Sequence, residues 1–74
     1  DAKTLLQEAA HEKGLPAPRY VEIGREGAEH NPVFHMQVEI DGTEAQTGSG
    51  RNKKMAEQNA AEKMLAFLGV KHGK

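Results

Sequence analysis

The sequence predicts an α+β domain in the order α-β-β-β-α, with two helices packed on one face of a three-stranded antiparallel sheet. Three observations carry that expectation. Alanine-rich amphipathic runs stand near both ends of the chain, and a glycine follows each one. Between them, residues 33–40 alternate apolar and polar side chains, the period of a strand covered on one side. The pair Asp41-Gly42 then gives the strongest short hairpin signal in the chain.

The first helix is expected over residues 2–13, with Asp1 as its N-cap. Leu5, Leu6, Ala9, Ala10 and the aliphatic stem of Lys13 form its buried stripe. Its other face gathers Thr4, Gln7, Glu8 and His11, spaced i, i+3, i+4 and i+7. Gly14 ends this helix and Pro16 prevents its resumption. Residues 18–25 contain the β-formers Tyr20, Val21 and Ile23 and read as a strand of imperfect alternation. The stretch EGAEHNP is turn chemistry, because Gly27, Asn31 and Pro32 resist regular structure. The second strand sets Phe34, Met36, Val38 and Ile40 on its apolar face and Val33, His35, Gln37 and Glu39 on the other. After the Asp41-Gly42 turn, TEAQTGSG is poor in apolar residues and reads as an edge strand. Asn52 caps the second helix, which continues to about Leu68 before Gly69 stops it. Ala56, Ala60, Met64 and Phe67 form its stripe, flanked by Ala61, Leu65 and Leu68. One domain of residues 1–69 is expected, with VKHGK, residues 70–74, as a flexible tail.

Seventy-four residues lie near the lower limit for folding on one hydrophobic core. No cysteine is present, so neither disulfides nor a thiolate metal site can staple the fold. That composition suits a reducing cytoplasm, which is the expected location. No apolar run approaches the roughly 20 residues of a membrane span. Nor does the start carry the basic-then-apolar pattern of a signal segment.

The formal net charge is -1, which argues against a generic polyanion binder, yet distribution decides binding and the total does not. Arg51, Lys53 and Lys54 cluster with no acid among them at the start of the second helix, while Glu22, Glu26, Glu29, Glu39, Asp41 and Glu44 line the middle of the chain. A helix N-terminus bears about +0.5 of an elementary charge, so each cation there is disfavoured by about 0.3–1 kcal/mol. Folding alone would favour Asp or Glu at 53 and 54. An anion held by free N–H groups and three cations explains the reversal. GSGRNKK has neither the spacing nor the Ser/Thr of a nucleotide-binding P-loop, and it lacks the last glycine of G-x-G-x-x-G. A polymer backbone is the better fit for the anion.

The pattern G-x-G-x-N-K-K-x-A-E-x-x-A-A-x-x-x-L, in an α-β-β-β-α order, resembles the double-stranded RNA-binding domain family. The start, DAKTLLQEAA, is similar to the opening of this domain in bacterial ribonuclease III, where D-x-K-T-x-L-Q-E is typical. EHNPVF matches the family's loop histidine followed by a core aromatic. Two departures stand out. Asn52 replaces the Ser or Thr of many relatives and keeps the capping role, and GAEH replaces the commoner G-P-x-H. The resemblance spans residues 1–68 and implies a reader of A-form shape, since RNA displays 2′-hydroxyls across a wide, shallow minor groove. It assigns Thr4, Gln7, Glu8 and His11 to one minor groove and the loop around His30 to a second, with Lys53 and Lys54, aided by Arg51, on the phosphates between them. Asn52 belongs to that region as its cap. Glu8, an acceptor, suits a 2′-OH donor that DNA lacks. Duplex RNA is therefore the expected partner, with no preference for DNA, little sequence preference, and a salt slope of roughly 2–4.

No catalytic constellation is evident: the eleven acids are scattered. His11, His30, His35 and His72 lack a metal-ligand spacing. His35 reads as a surface residue and Ser49 as turn or cap, so the chain is expected to bind and not to cut. No cofactor is expected in it. In a ribonuclease III parent, Mg²⁺ and catalysis would belong to a separate, dimerising nuclease domain, and the isolated domain would be a monomer. Two alternatives stay open: a protein-interaction module of the same fold, or the same domain in another RNA-binding protein.

Overall fold

A computed structural model describes residues 1–70 of the chain. Its elements are α1 (Ala2–Glu12), β1 (Arg19–Ala28), β2 (Asn31–Glu39), β3 (Gln46–Gly50) and α2 (Lys53–Phe67), with the antiparallel sheet ordered β1-β2-β3. The predicted order is therefore the observed one. Of the expected tail, Val70 packs against the core, while residues 71–74, His72 included, lie outside the described residues.

Both helices are capped at both ends. The Asp1 carboxylate accepts from the Thr4 N–H at 2.9 Å, and Asn52 Oδ1 accepts from the Met55 N–H at 2.8 Å. At the other ends Gly14 and Gly69 take positive φ, and the following residues donate back into the last turn: Leu15 to Ala10 O at 2.8 Å, Val70 to Leu65 O at 2.9 Å. Two Schellman motifs result, and Leu15 and Val70 both pack on the core from that position.

The core joins α1, β2 and α2. Leu6, Val38, Ile40, Met64 and Leu65 are its largest fully buried side chains, and Ala10, Ala60 and Ala61 let the layers approach. The observed stripe of α1 is Ala2, Leu6, Ala9 and Ala10. Leu5, expected in the stripe, sits at its rim, 37% exposed, and Lys13 is exposed at the helix end. Ala2 replaces them because the start of α1 abuts α2, where the Ala2 N–H donates to Gln58 Oε1 at 2.9 Å. On α2, Phe67 is 49% exposed, since burial in the last turns passes to Met64, Leu65 and the partly buried Leu68.

The strands differ from expectation in three respects. Strand pairing continues through most of EGAEHNP, with Gly27 opposite Pro32 and Ala28 opposite Asn31, leaving Glu29 and His30 as the turn. Pro32 is tolerated because β3 begins its pairing only at Phe34, so the missing N–H faces no partner strand. Asp41-Gly42 does form a turn, closed by Thr43 N–H to Ile40 O at 2.9 Å. Only Gly42 has positive φ, however, which makes this a type II turn and not the type I′ of a tight hairpin. Its twist does not match that of the strands, and pairing resumes only at Gln46 opposite Val38. Finally, β1 carries a bulge between Glu22 and Gly24, which accounts for the imperfect alternation of its sequence.

Candidate nucleic-acid interface

The basic start of α2 is located by packing. Gly48 on β3 is buried under α2, where an added Cβ would lie 2.7 Å from Ala56 O. At Gly50 it would lie 2.7 Å from Ala56 N. The strand and the first turns of the helix are thus in backbone contact, which no residue with a side chain permits. Asn59 Nδ2 adds a hydrogen bond to Ser49 O at 2.6 Å. The Gly48-Ser49-Gly50 stretch leading into the helix is therefore a tight backbone seam.

From that seam Arg51, Asn52, Lys53 and Lys54 all emerge exposed. Asn52 Oδ1 is occupied by its capping bond. Lys53 Nζ pairs with Glu22 Oε1 at 3.2 Å, and Glu22 Oε2 accepts from Arg25 Nε at 3.3 Å. The Lys53 and then the Arg25 hydrogen bonds hold the Glu22 carboxyl below its ordinary range. Lys54 and Arg51 have no ion pair among the described residues.

Thr4, Gln7, Glu8 and His11 are likewise exposed, and together they line one shallow groove along α1 with Leu15 and Ala17. A second depression adjoins it, lined among others by Thr4, Gln7, Tyr20, Lys53 and Lys54. Thr4, Gln7 and Ala17 belong to both. The structure thus brings the polar face of α1 and the lysines of α2 onto one continuous concave surface. His30 and Arg51 are not part of it: His30 is exposed at the β1–β2 turn and Arg51 lies in the bend before α2.

Lys3 is structural. It pairs with Glu57 of α2 and sits 4.8 Å above the Tyr20 ring, so it ties α1 to α2 and to β1. Beneath it the Tyr20 hydroxyl is buried with no hydrogen-bond partner among the described residues. Burial, helped by the Glu57 charge, pushes that phenol up to about 12.

On the open face of the sheet, His35 is partly exposed, as expected of a surface residue, but it does not stand alone. Ser49 lies in β3, not in a turn, and its Oγ is 2.7 Å from His35 Nδ1, while His35 Nε2 is 2.7 Å from Glu26 Oε2. A neutral ring protonated on Nε2 satisfies both contacts, donating to Glu26 and accepting from Ser49. The chain of three side chains ties all three strands together. It was illegible in the sequence because its members are 9 and 14 residues apart and meet only through strand register. Among the described residues, no three His, Asp or Glu side chains could hold a metal ion, and no helix is long and apolar enough to cross a membrane.

The fold and this surface define a nucleic-acid-binding class. The family model for the double-stranded RNA binding motif matches residues 2–68, and the chain belongs to that family. Among curated relatives, it is 51% identical over 71 residues to Ribonuclease 3 of Ehrlichia ruminantium (strain Gardel), a match covering 96% of this chain and 31% of the relative. Ribonuclease 3 of Brucella canis is 47% identical over 70 residues, covering 95% of this chain and 29% of that protein. The chain therefore spans less than a third of the length of these relatives. Of solved structures, the first dsRBD of protein HYL1 superposes with a TM-score of 0.70 at 39% identity, over 86% of this chain and 90% of that one. The second dsRBD of DRB4 gives 0.63 at 35% identity, over 99% of both chains.

Proposed function

We propose that this chain is the substrate-binding domain of a ribonuclease III, and that it reads duplex RNA by shape. The observation that carries the reading is the shared concave surface of α1 and the α2 start. Thr4, Gln7, Glu8 and His11 would enter a minor groove, while Lys53 and Lys54, with Arg51, hold the phosphates of the adjoining major groove. Asn52 fixes the helix start that presents them. His30, at the hairpin turn, would reach the next minor groove.

The likeness to Ribonuclease 3 over nearly the whole chain supports a nuclease parent. In that parent cutting belongs to a separate domain, which holds Mg²⁺ and dimerises. The present chain, a binding domain over residues 1–69, acts without a cofactor, as a monomer and in the cytoplasm. Glu8 as an acceptor for 2′-hydroxyls disfavours DNA.

Amide chemical-shift mapping tests the assignment of residues. Titration with a duplex RNA of about 20 bp, long enough for the roughly 16 bp a family domain covers, should shift the amides of residues 4–11, 29–31 and 51–54. Shifts confined to the open sheet face, around Val21, Ile23 and His35, would contradict it.

A further inference from the structure

We propose that Arg25 is a further phosphate contact, yoked to Lys53 through Glu22 so that the clamp extends from the start of α2 along β1. This rests on the RNA-binding reading above and adds a residue that lies outside the three stretches on which the resemblance was based.

The bulge makes the arrangement. Glu22 pairs with Met36 and Arg25 with Phe34, two positions of β2 that share a face. In a regular strand, residues three apart point to opposite faces, so without the extra residue Arg25 would point away from α2. Bulges re-aim side chains in this way. As built, the two oxygens of one carboxylate hold two cations, Lys53 at 3.2 Å and Arg25 at 3.3 Å.

The geometry leaves both cations able to bind an anion. Arg25 uses only Nε on Glu22, and its ring-stacked guanidinium lies 4.5 Å from the centre of Phe34. Its Nη groups have no protein partner among the described residues. That free fork matches a phosphate bidentately. Lys53 keeps two of its three donors. Arg19 differs in charge: its Nη2 is shared by the two carboxylates of Glu39 and Asp41, which together outweigh its single positive charge. The Lys53–Glu22–Arg25 group carries one net positive charge, and stacking on Phe34 limits the rotamer freedom that an unheld arginine would lose on binding.

The test compares wild type, Arg25→Gln, Arg25→Lys, Glu22→Gln and Lys53→Ala/Lys54→Ala on a 20-bp RNA duplex across a series of salt concentrations. Arg25→Gln should weaken binding several-fold at low salt and lower the slope of log affinity against log salt by about 0.9. Arg25→Lys should keep the slope but recover only part of the affinity, because it loses the fork and the stacking. With Glu22→Gln the yoke is gone, so a further Arg25→Gln change should matter less than it does alone. Unchanged affinity and slope in Arg25→Gln, with binding still lost in the double lysine variant, would overturn the proposal and leave the clamp intact. Binding retained in the double lysine variant would instead remove the RNA-binding reading on which the proposal stands.

Discussion

The β3–α2 junction and the β1–β2 hairpin tip are the two proposed RNA contacts that differ most, since they are built in opposite ways. At the junction, Gly48 and Gly50 bring two backbones together, Asn59 bonds to Ser49 O, and Asn52 caps the helix whose cations follow. At the tip, Glu29 and His30 form a two-residue turn with every residue from 25 to 31 exposed. The clamp inherits its position from the core, whereas the tip inherits its position only from the twist and register of one hairpin. A rigid mount is what a repulsive cluster requires. Cations that disfavour a helix start by about 0.3–1 kcal/mol each would fray an unsupported first turn, and here that turn is held by packing from the strand before it. The comparison also says where stability is at stake: at the junction, in the glycine seam and the cap beneath the cations, and not at the tip.

The strongest way to break that contrast is Gly48→Ala. Its Cβ would meet backbone atoms of α2 that cannot move without lifting the helix. Overpacking of this kind costs about 1–3 kcal/mol and here, against backbone, about 3 or more, a large share of the stability of so small a domain. Thermal unfolding followed by circular dichroism should show a greatly lowered midpoint or no cooperative transition. A wild-type melt would mean the seam is looser than described.

Next in size is the effect of Lys53→Ala/Lys54→Ala on binding. Removing two phosphate contacts should lower the salt slope by about 1.8 and weaken binding on the order of 100-fold at low salt. Folding should be unimpaired, because cations leave an unfavourable helix end. A double variant that binds less and also melts much earlier would show that the lysines hold the fold and that the charge argument is inverted.

Asn52→Ala sharpens the difference between mount and contact. Loss of the cap should cost about 1 kcal/mol in urea unfolding, while RNA affinity, measured well below the midpoint, changes little. The smallest effect is expected at the tip. His30→Ala should leave the melting curve unchanged and weaken RNA binding only a few-fold, the scale of about 1 kcal/mol for a lost hydrogen bond. A stability loss there as large as at Asn52 would erase the distinction between the two regions.

What was legible in the sequence follows the range of each signal. Asp1, Asn52, Gly14 and Gly69 act within one turn of their own position, and all four caps stand where local chemistry places them. The alternation of Met36, Val38 and Ile40 likewise needs only the strand itself. Errors arise where a partner decides. Leu5 and Phe67 have the right helical phase but lie where no neighbouring element covers them. Asp41-Gly42 turns the chain, but the turn type depends on the sign of φ at Asp41, which the dipeptide alone does not set. The Lys53–Glu22–Arg25 group and the Glu26–His35–Ser49 chain exist only through register and a bulge, so no linear spacing announces them. The exposed polar face of α1 and the basic start of α2 could each be read locally. Their meeting on one concave surface could not.

The most direct test is a fluorescence-anisotropy titration of this chain with a 20-bp RNA duplex and, in parallel, the DNA duplex of the same sequence. Reading of A-form shape and 2′-hydroxyls predicts binding to RNA, weak or absent binding to DNA, and loss of the RNA signal in Lys53→Ala/Lys54→Ala. Equal affinity for the two duplexes would contradict it, reducing the surface to a generic phosphate site and leaving Glu8 and His30 without a role.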